Sequence, residues 1–259
     1  MKFLTPISLR VLVLLLLAAA FAHAQQPQPQ TADKPATATA AKPTAAPALA
    51  ITAASTPLEL ARAAFQAQGG EKFRQLKNMV LIGTVDMSAP GSTQALTGKF
   101  GLIFAGERMR MNIQTPLFQL EGIFDGERSY VSMPRVTLPP MNKYGLPILA
   151  KFDQPGYNVT ALPDKKKQRA FRITDIDGHA TDFYIDATTA RLVRFEVTVN
   201  GLFFSVENTK VQEFEGVLVP VNSVWRMDLP TGPAFAEFHA KEIKVNQTLP
   251  DNVFAIPGQ

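Results

Sequence analysis

The sequence predicts a mainly β domain of the α+β class, an incomplete, curled antiparallel barrel of about eleven strands covered by an N-terminal helix and a short helix or flap. Three observations carry this reading. Beyond Met79 apolar residues recur with a period of two, most cleanly in Arg108-Met109-Arg110-Met111-Asn112-Ile113-Gln114, which gives a strand with one dry and one wet face. Short connectors separate the runs: Gly106-Glu107, Asp125-Gly126, Asp177-Gly178, Asn200-Gly201 and Glu215-Gly216, several of them favoured hairpin pairs. Helical spacing is confined to a stretch ahead of the strands, where it supplies a cover for the one-sided sheet.

The 259 residues open with a secretory leader, Met1 to Ala24. Lys2 and Arg10 precede an apolar run from Val11 to Phe21, and Ala22-His23-Ala24 is the small-x-small pattern cut by a signal peptidase, so the mature chain is expected to begin at Gln25. The apolar run is too short for a membrane span. From Gln25 to Thr56 the chain is Gln, Pro, Ala and Thr with almost no large apolar side chain, which predicts a disordered linker. The domain proper is expected over 57–259. Thr56 can cap a helix there, with Pro57 at its first position, Glu59 completing a capping box and Gly69-Gly70 as the stop. Leu58, Ala61 and Phe65 are placed on its apolar face, and Phe73 and Leu76 continue the stripe.

Strands are expected near 79–87, 94–105, 108–115, 117–124, 128–133, 169–175, 180–186, 191–199, 202–213, 217–228 and 234–245. The inward parity collects Phe100, Leu102 and Phe104; Met109, Met111 and Ile113; Phe118, Leu120 and Phe124; Phe183 and Ile185; and Val193, Phe195, Val197 and Val199. Between the fifth and sixth runs, Pro134 to Gln168 holds six prolines and no sustained period, yet carries Leu138, Met141, Tyr144, Leu146, Ile148, Leu149 and Phe152. That is too apolar for a solvated loop. It reads either as a flap over the mouth of the curled sheet, with a short helix around 146–152 (Leu146, Ile148, Leu149, Phe152), or as a loop packed into the core.

Composition removes most catalytic chemistries. The chain has no cysteine, hence no disulfide, thiol nucleophile, thiolate metal site or Cys-linked lipid. Of the formal net charge of +4, Lys2 and Arg10 lie in the leader and Asp33, Lys34 and Lys42 in the linker, so the domain keeps +1 and lacks the basic face nucleic acid requires. Behind the leader only His179 and His239 remain, and Gly-x-Ser-x-Gly, phosphate-loop, dinucleotide and HExxH motifs are absent. Asp175-Ile176-Asp177-Gly178-His179 lacks the further acid of a calcium loop and reads as a hairpin turn, so no metal and no cofactor are expected. Asp182, Asp186 and Glu196 fall at polar parity and read as solvated faces; Lys165-Lys166-Lys167-Gln168-Arg169 reads as a solvated turn, and only secondarily as a contact for an acidic lipid or partner surface. Excess Phe (18) and Met (8) at inward positions suits a core, and equally a pocket for varied acyl chains.

Four pieces of the sequence, in order across most of 57–257, resemble the periplasmic outer-membrane lipoprotein carrier superfamily, the LolA/LolB-like proteins. They are the helix with its Gly-Gly stop, Ala61 to Gly70; Phe183-Tyr184-Ile185-Asp186-Ala187 with Arg191 to Glu196; the turn Phe214 to Pro220; and the ending Val245-Asn246 through Leu249-Pro250-Asp251-Asn252-Val253-Phe254-Ala255-Ile256-Pro257. The resemblance implies a barrel closed by helices whose apolar concavity holds lipid or lipoprotein acyl chains during transport or sorting to the outer membrane. It also implies a non-enzymatic, periplasmic protein. The receptor branch carries a lipidated N-terminal Cys, which this chain lacks, so a soluble member is implied. A functional Arg of the carrier branch finds candidates in Arg108 and Arg110, both at outward parity. The alternative is an envelope sensor or scaffold using the same fold to bind a protein partner.

Overall fold

The computed structural model describes residues 51–133 and 140–258; the leader and most of the linker predicted over 25–56 lie outside these residues, as does Leu138. Helix α1, Pro57–Gln68, forms as its caps dictate. Thr56 Oγ1 accepts from Glu59 N–H at 3.3 Å and Glu59 Oε2 accepts from Thr56 N–H at 2.7 Å. Its buried side is Leu60, Ala61, Ala63, Ala64, Phe65 and Gln68; Leu58, expected on that side, points to solvent from the first turn, because the buried arc is centred on 60 and 64. A one-turn helix α2, Glu71–Arg74, follows. Ahead of α1, Ile51 packs on the core and the Arg169 guanidinium donates to the carbonyls of Thr52, Ala53 and Ser55, so residues 51–55 dock on the domain. Among the described residues no helix is long and apolar enough to cross a membrane.

The strands are β1 Met79–Ser88, β2 Leu96–Ala105, β3 Arg108–Gln114, β4 Gln119–Phe124, β5 Ser129–Val131, β6 Asn158–Ala161, β7 Gln168–Thr174, β8 Ala180–Asp186, β9 Leu192–Val199, β10 Leu202–Phe214, β11 Val217–Leu229 and β12 Gly232–Val245. That is one more than the eleven predicted. The addition, β6, lies in the stretch predicted to have no period: it is a four-residue edge strand with only Val159 facing inward, too short and too exposed to display alternation. All twelve form one antiparallel sheet in the order β5-β4-β3-β2-β1-β12-β11-β10-β9-β8-β7-β6, open between β5 and β6. Neighbours are hairpins throughout except at β1–β12, where the two ends of the domain meet. Asn200-Gly201 and Glu215-Gly216 both take positive φ at both positions, the geometry of the two-residue turn that matches strand twist.

The inner face is covered in two places. One cluster gathers Phe65 of α1, Phe171, Ile173, Phe183, Ile185 and Leu192 of β7–β9, and Ile148, Leu149 and Phe152. The other joins β1–β4 to β11 and β12 through Val85, Phe100, Leu102, Met109, Phe124, Val219 and Phe238. A small third cluster lies on the outer face, where Leu249, Val253, Phe254 and Ile256 of the C-terminal segment cover Ala105 and Ile123. Register slips at two informative points. Between Tyr184 and Ile185 the β8–β9 ladder shifts, so Leu192 rather than Val193 enters the core, which corrects the prediction at Val193, while Phe195 and Val197 lie on the face predicted for them. At Ile82/Gly83 the β1–β12 ladder shifts as well, and a Cβ on Gly83 would lie 2.0 Å from the carbonyl oxygen of His239.

Two substitutions read out this construction. Phe183 is fully buried and stacked on Phe171 at 5.3 Å, so Phe183→Ala is expected to cost about 3–5 kcal/mol in denaturant unfolding. Gly83→Ala collides with backbone rather than with a side chain able to turn away; it is expected to destabilise by roughly 2 kcal/mol or more, as overpacking does, and a neutral outcome would show that the β1–β12 contact is looser than described.

Candidate functional site

The candidate site is the inner face of the sheet, because strand alternation delivers the two large apolar clusters there. Two rows of aromatic rings cross it. Phe171, Phe183 and Phe195 run across β7–β9 with centroids 5.3 and 6.4 Å apart. Phe204, Trp225, Phe238 and Phe100 run across β10, β11, β12 and β2 at 5.6, 4.5 and 5.0 Å. Of the residues predicted to line a cavity, Phe100, Leu102, Met109, Met111, Ile113, Phe183, Ile185 and Val197 are buried on this face, while Phe104, Phe118, Leu120 and Phe195 are half-buried. They form two groups rather than one lining: Phe183, Ile185 and Phe195 lie in the cluster under α1, the β2–β4 residues in the other. Phe204, Val206, Trp225 and Phe238 were not in that prediction. In β10 the run Leu202-Phe203-Phe204 is apolar at both parities, so alternation alone could not assign its faces; in β12 the Ala234-Phe235-Ala236-Glu237-Phe238 pattern held a usable signal.

The segment 140–157 is not a lid above this face. It runs inside it. Residues Leu146–Leu149 form a single helical turn, α3, and Ile148, Leu149 and Phe152 are buried against α1 and the Phe171–Phe183 row, with Leu146 half-buried beside them. Phe152 meets the ring of Phe65 at 5.5 Å. Of the two readings the sequence left open, a loop packed into the core is the one observed. Gly145, at φ +68°, lies flat on Phe195, and a Cβ there would be 2.9 Å from the ring edge, so only glycine allows this approach.

Polar contacts pin the segment at both ends. Lys143 Nζ reaches Asp177 at 3.0 Å and Asp175 at 3.5 Å in the β7–β8 turn, and Gly145 N–H donates to Thr181 Oγ1 at 3.1 Å. Glu107, in the β2–β3 turn, bridges the two ends, accepting from Asn142 at 3.0 Å and from Lys151 at 2.6 Å, and at the far end Arg74 donates to Ala150 O at 2.9 Å and pairs with Asp153 at 2.7 Å. Hydrogen bonds from Lys151 and Asn142 hold the Glu107 carboxyl below the usual carboxylate range. Burial pushes Asp175 up, yet the His179 backbone N–H, its ring and the Lys143 charge together draw that carboxyl below its ordinary value. Lys143 in turn is raised, mainly by its bond to Asp177. No sequence signal pointed to this latch, since its partners come from turns far apart in the chain.

The remaining polar groups are committed elsewhere. Asp175, Asp177 and His179 present ligand atoms within 4.8 Å of one another, but the Lys143 ammonium lies against both carboxylates and takes the place a cation would fill. Asp182 and Glu196, expected as solvated, are paired on the outer face: Asp182 with Arg172 at 2.5 Å, Glu196 with Tyr184 Oη at 2.9 Å and Arg194 at 3.1 Å. Asp186 accepts from the N–H groups of Thr188 and Thr189 and so closes its own turn. Arg110 donates to Val253 O at 2.9 Å and Arg108 lies 4.6 Å from the Phe254 ring, so both arginines clamp the C-terminal segment outside the sheet. Among the open clefts of the described residues, one of about 440 Å³ lies between the 51–55 arm and α1 and one of about 320 Å³ beside Tyr144, His179, Asp182 and Phe203. Of the predicted lining only Val197 borders either of them.

No protein-family model and no curated protein matches the sequence. Among solved structures, a LolA superfamily protein from Nitrosomonas europaea superposes with a TM-score of 0.53 at 15% identity, covering 78% of this chain and 99% of that one. An outer membrane lipoprotein-sorting protein domain, so described, from Vibrio parahaemolyticus gives 0.49 at 13% identity, over 76% of this chain and 95% of its own. A DUF1329 family protein from Desulfovibrio piger gives 0.48 at 11% over the same shares. The latter two resemble the chain in outline only. The fold, an open antiparallel sheet wrapped on a helix, is that of the LolA superfamily protein, as the resemblance in sequence implied.

Proposed function

We propose that this chain is a soluble periplasmic binding protein whose inner face takes up lipid or lipoprotein acyl chains, for transport or sorting towards the outer membrane, and that segment 140–157 occupies the acyl site until a ligand displaces it. One observation carries the reading: beside α1, the apolar cover of the Phe171–Phe183 row is supplied by a one-turn helix and the residues after it, a short segment tied down at its ends by polar groups. The exchange favours the ligand in gross burial. Withdrawing Ile148, Leu149 and Phe152 forfeits roughly 6 kcal/mol of burial, whereas a sixteen-carbon chain at about 0.8 kcal/mol per methylene offers roughly 12 kcal/mol before ordering and association losses. The ligand gain exceeds the cost by a margin that leaves binding reversible. Phe and Met suit the role because flat rings and flexible thioethers adapt to linear chains. The leader at Met1–Ala24 would deliver the protein across the inner membrane. The filled interior favours a second reading, an envelope sensor or scaffold for a protein partner; native mass spectrometry separates them, since a co-purifying lipid belongs to the first and a stoichiometric protein to the second.

Delipidated protein is expected to gain thermal stability on addition of palmitate or an acylated peptide. At a hundredfold excess over Kd the gain is about 2.7 kcal/mol, a rise of roughly 5–11 °C for a domain of this size, and no shift at saturating ligand would refute acyl binding. The latch makes a further demand. Lys143→Met removes the ties to Asp175 and Asp177 without touching the apolar face, so it should tighten acyl binding several-fold in a fluorescent fatty-acid titration; weaker binding would mean that the segment is part of the receptor rather than its competitor. Because Asp175 and Glu107 are depressed in the folded state, the support they give is complete above the ordinary carboxylate value and is lost as pH falls through the depressed one. Hydrogen exchange of 140–152 should therefore accelerate on acidification below about pH 4, and less so in Lys143→Met.

A further inference from the structure

Antiparallel order places the sheet's turns on two opposite rims, and these rims differ in chemistry. One rim carries the turns 89–95, 115–118, 175–179, 200–201 and 230–231, joining β1–β2, β3–β4, β7–β8, β9–β10 and β11–β12. Among the described residues, the Asp, Glu, Lys and Arg side chains of these five turns are only Asp175, which is buried, and Asp177, both met by Lys143, while Arg226 and Asp228, paired with each other at 2.7 Å, flank the β11–β12 tip. The opposite rim, with turns 106–107, 125–128, 162–167, 187–191 and 215–216, carries ten charged side chains, including Lys165, Lys166 and Lys167. Exposed apolar side chains follow the same division. Among the described residues seven large hydrophobics are exposed, and five of them sit on or next to the first, sparsely charged rim: Leu117 (63%) and Ile176 (85%) at turn tips, and Leu202, Met227 and Phe235 in the strands near the tips of β9–β10 and β11–β12.

We propose that this rim docks on the zwitterionic interface of a lipid bilayer, its hairpin tips entering the boundary between headgroups and acyl chains. Three features select a bilayer over a protein partner. Leu117, Ile176 and Leu202 stand at or beside separate tips, with neighbouring turns two strands, about 10 Å, apart, so they build no contiguous flat patch of the kind protein interfaces bury. The turns themselves bear neither Lys nor Arg, and the nearest cations, Lys143 and Arg226, are paired with Asp177 and Asp228, which leaves little net charge for a specific partner or an anionic surface to use. And the half-buried inner-face residues Phe118, Leu120, Trp225 and Phe204 lie at this end of their strands, so docking here sets the margin of the apolar interior against lipid. Arg169, which holds the arm at 51–55, begins β7 at the opposite rim and leaves the docking edge clear. The proposal goes beyond acyl binding and does not require it.

Flotation of the purified protein with phosphatidylcholine vesicles tests this. Wild-type protein should float with the vesicles, and should still do so in 0.5 M salt, about five times the ionic strength at which the screening length is already ~10 Å. The triple variant Leu117→Ser, Ile176→Ser, Leu202→Ser should lose at least tenfold in partitioning, since these side chains are solvent-facing and contribute little to folding. Ile82→Ser, an exposed apolar position on the outer face of β1, should float as wild type does. The proposal is overturned if wild type stays with the aqueous layer, if the triple variant floats equally, or if salt or charge reversal of Lys165, Lys166 and Lys167 abolishes flotation, which would put the contact on the other rim. It is overturned also if the rim mediates self-association, seen as a dimer in size-exclusion chromatography that the triple variant dissolves while vesicles capture neither form. Fatty-acid titration without vesicles keeps the two proposals apart: the triple variant should bind as wild type does, so loss of flotation with retained acyl binding concerns the rim alone.

Discussion

The pairing of β1 with β12 is the constraint on which this molecule rests. Every other ladder in the sheet is a hairpin or meander that adjacent sequence could build alone. At β1–β12 strands from the two ends of the domain meet over ten residue pairs, and the apolar faces of two meanders become one surface. Neither meander could hide its own face, since an isolated one-sided sheet leaves its apolar side in water. The bulge at Gly83 shows how closely the join is made, with His239 backbone occupying the space a side chain would need. Such non-local pairing is intrinsically slow to form, because loop entropy must be overcome before the contact rewards it.

Once joined, the surface exceeds what α1 can cover. The chain answers with its own residues: α1 and the 140–157 segment lie over β7–β9, and the other half closes by packing β1–β4 towards β11 and β12. The second solution is intrinsic to the fold. The first depends on a short piece of chain held by Glu107, Asp175 and Arg74, and that difference in how the two halves are covered separates a structural core from a candidate receptor. The same aromatic rows can be core in one state and binding surface in another, because apolar burial does not distinguish a side chain of the protein from a methylene chain of equal area.

Much of the architecture was legible in the sequence because its causes are local. The capping box at Thr56 and Glu59, the Gly-Gly stop, the alternation of Arg108 to Gln114 and the Asn200-Gly201 and Glu215-Gly216 turns each act within a few residues, and each forms as written. What was hidden depends on tertiary placement. Leu192 replaces Val193 in the core because of a register slip against β8, and β6 forms because a neighbouring edge is free to receive it. The apolar content of 134–168 announced that the segment must be buried; whether it covers the mouth or fills the interior turns on Gly145 against Phe195 and Lys143 against Asp175, contacts between residues 32 or more positions apart. Likewise Arg108 and Arg110 could be placed outward by parity, yet their grip on the C-terminal segment required that segment's position.

The central claim is that residues 146–152 occupy the place of an acyl chain. A crystal structure of the protein with a long-chain acylated peptide tests it most directly. The account predicts aliphatic density along the Phe171, Phe183 and Phe195 row, with Ile148, Leu149 and Phe152 withdrawn from it. Density for the ligand elsewhere, with those three side chains still seated under α1, would contradict it.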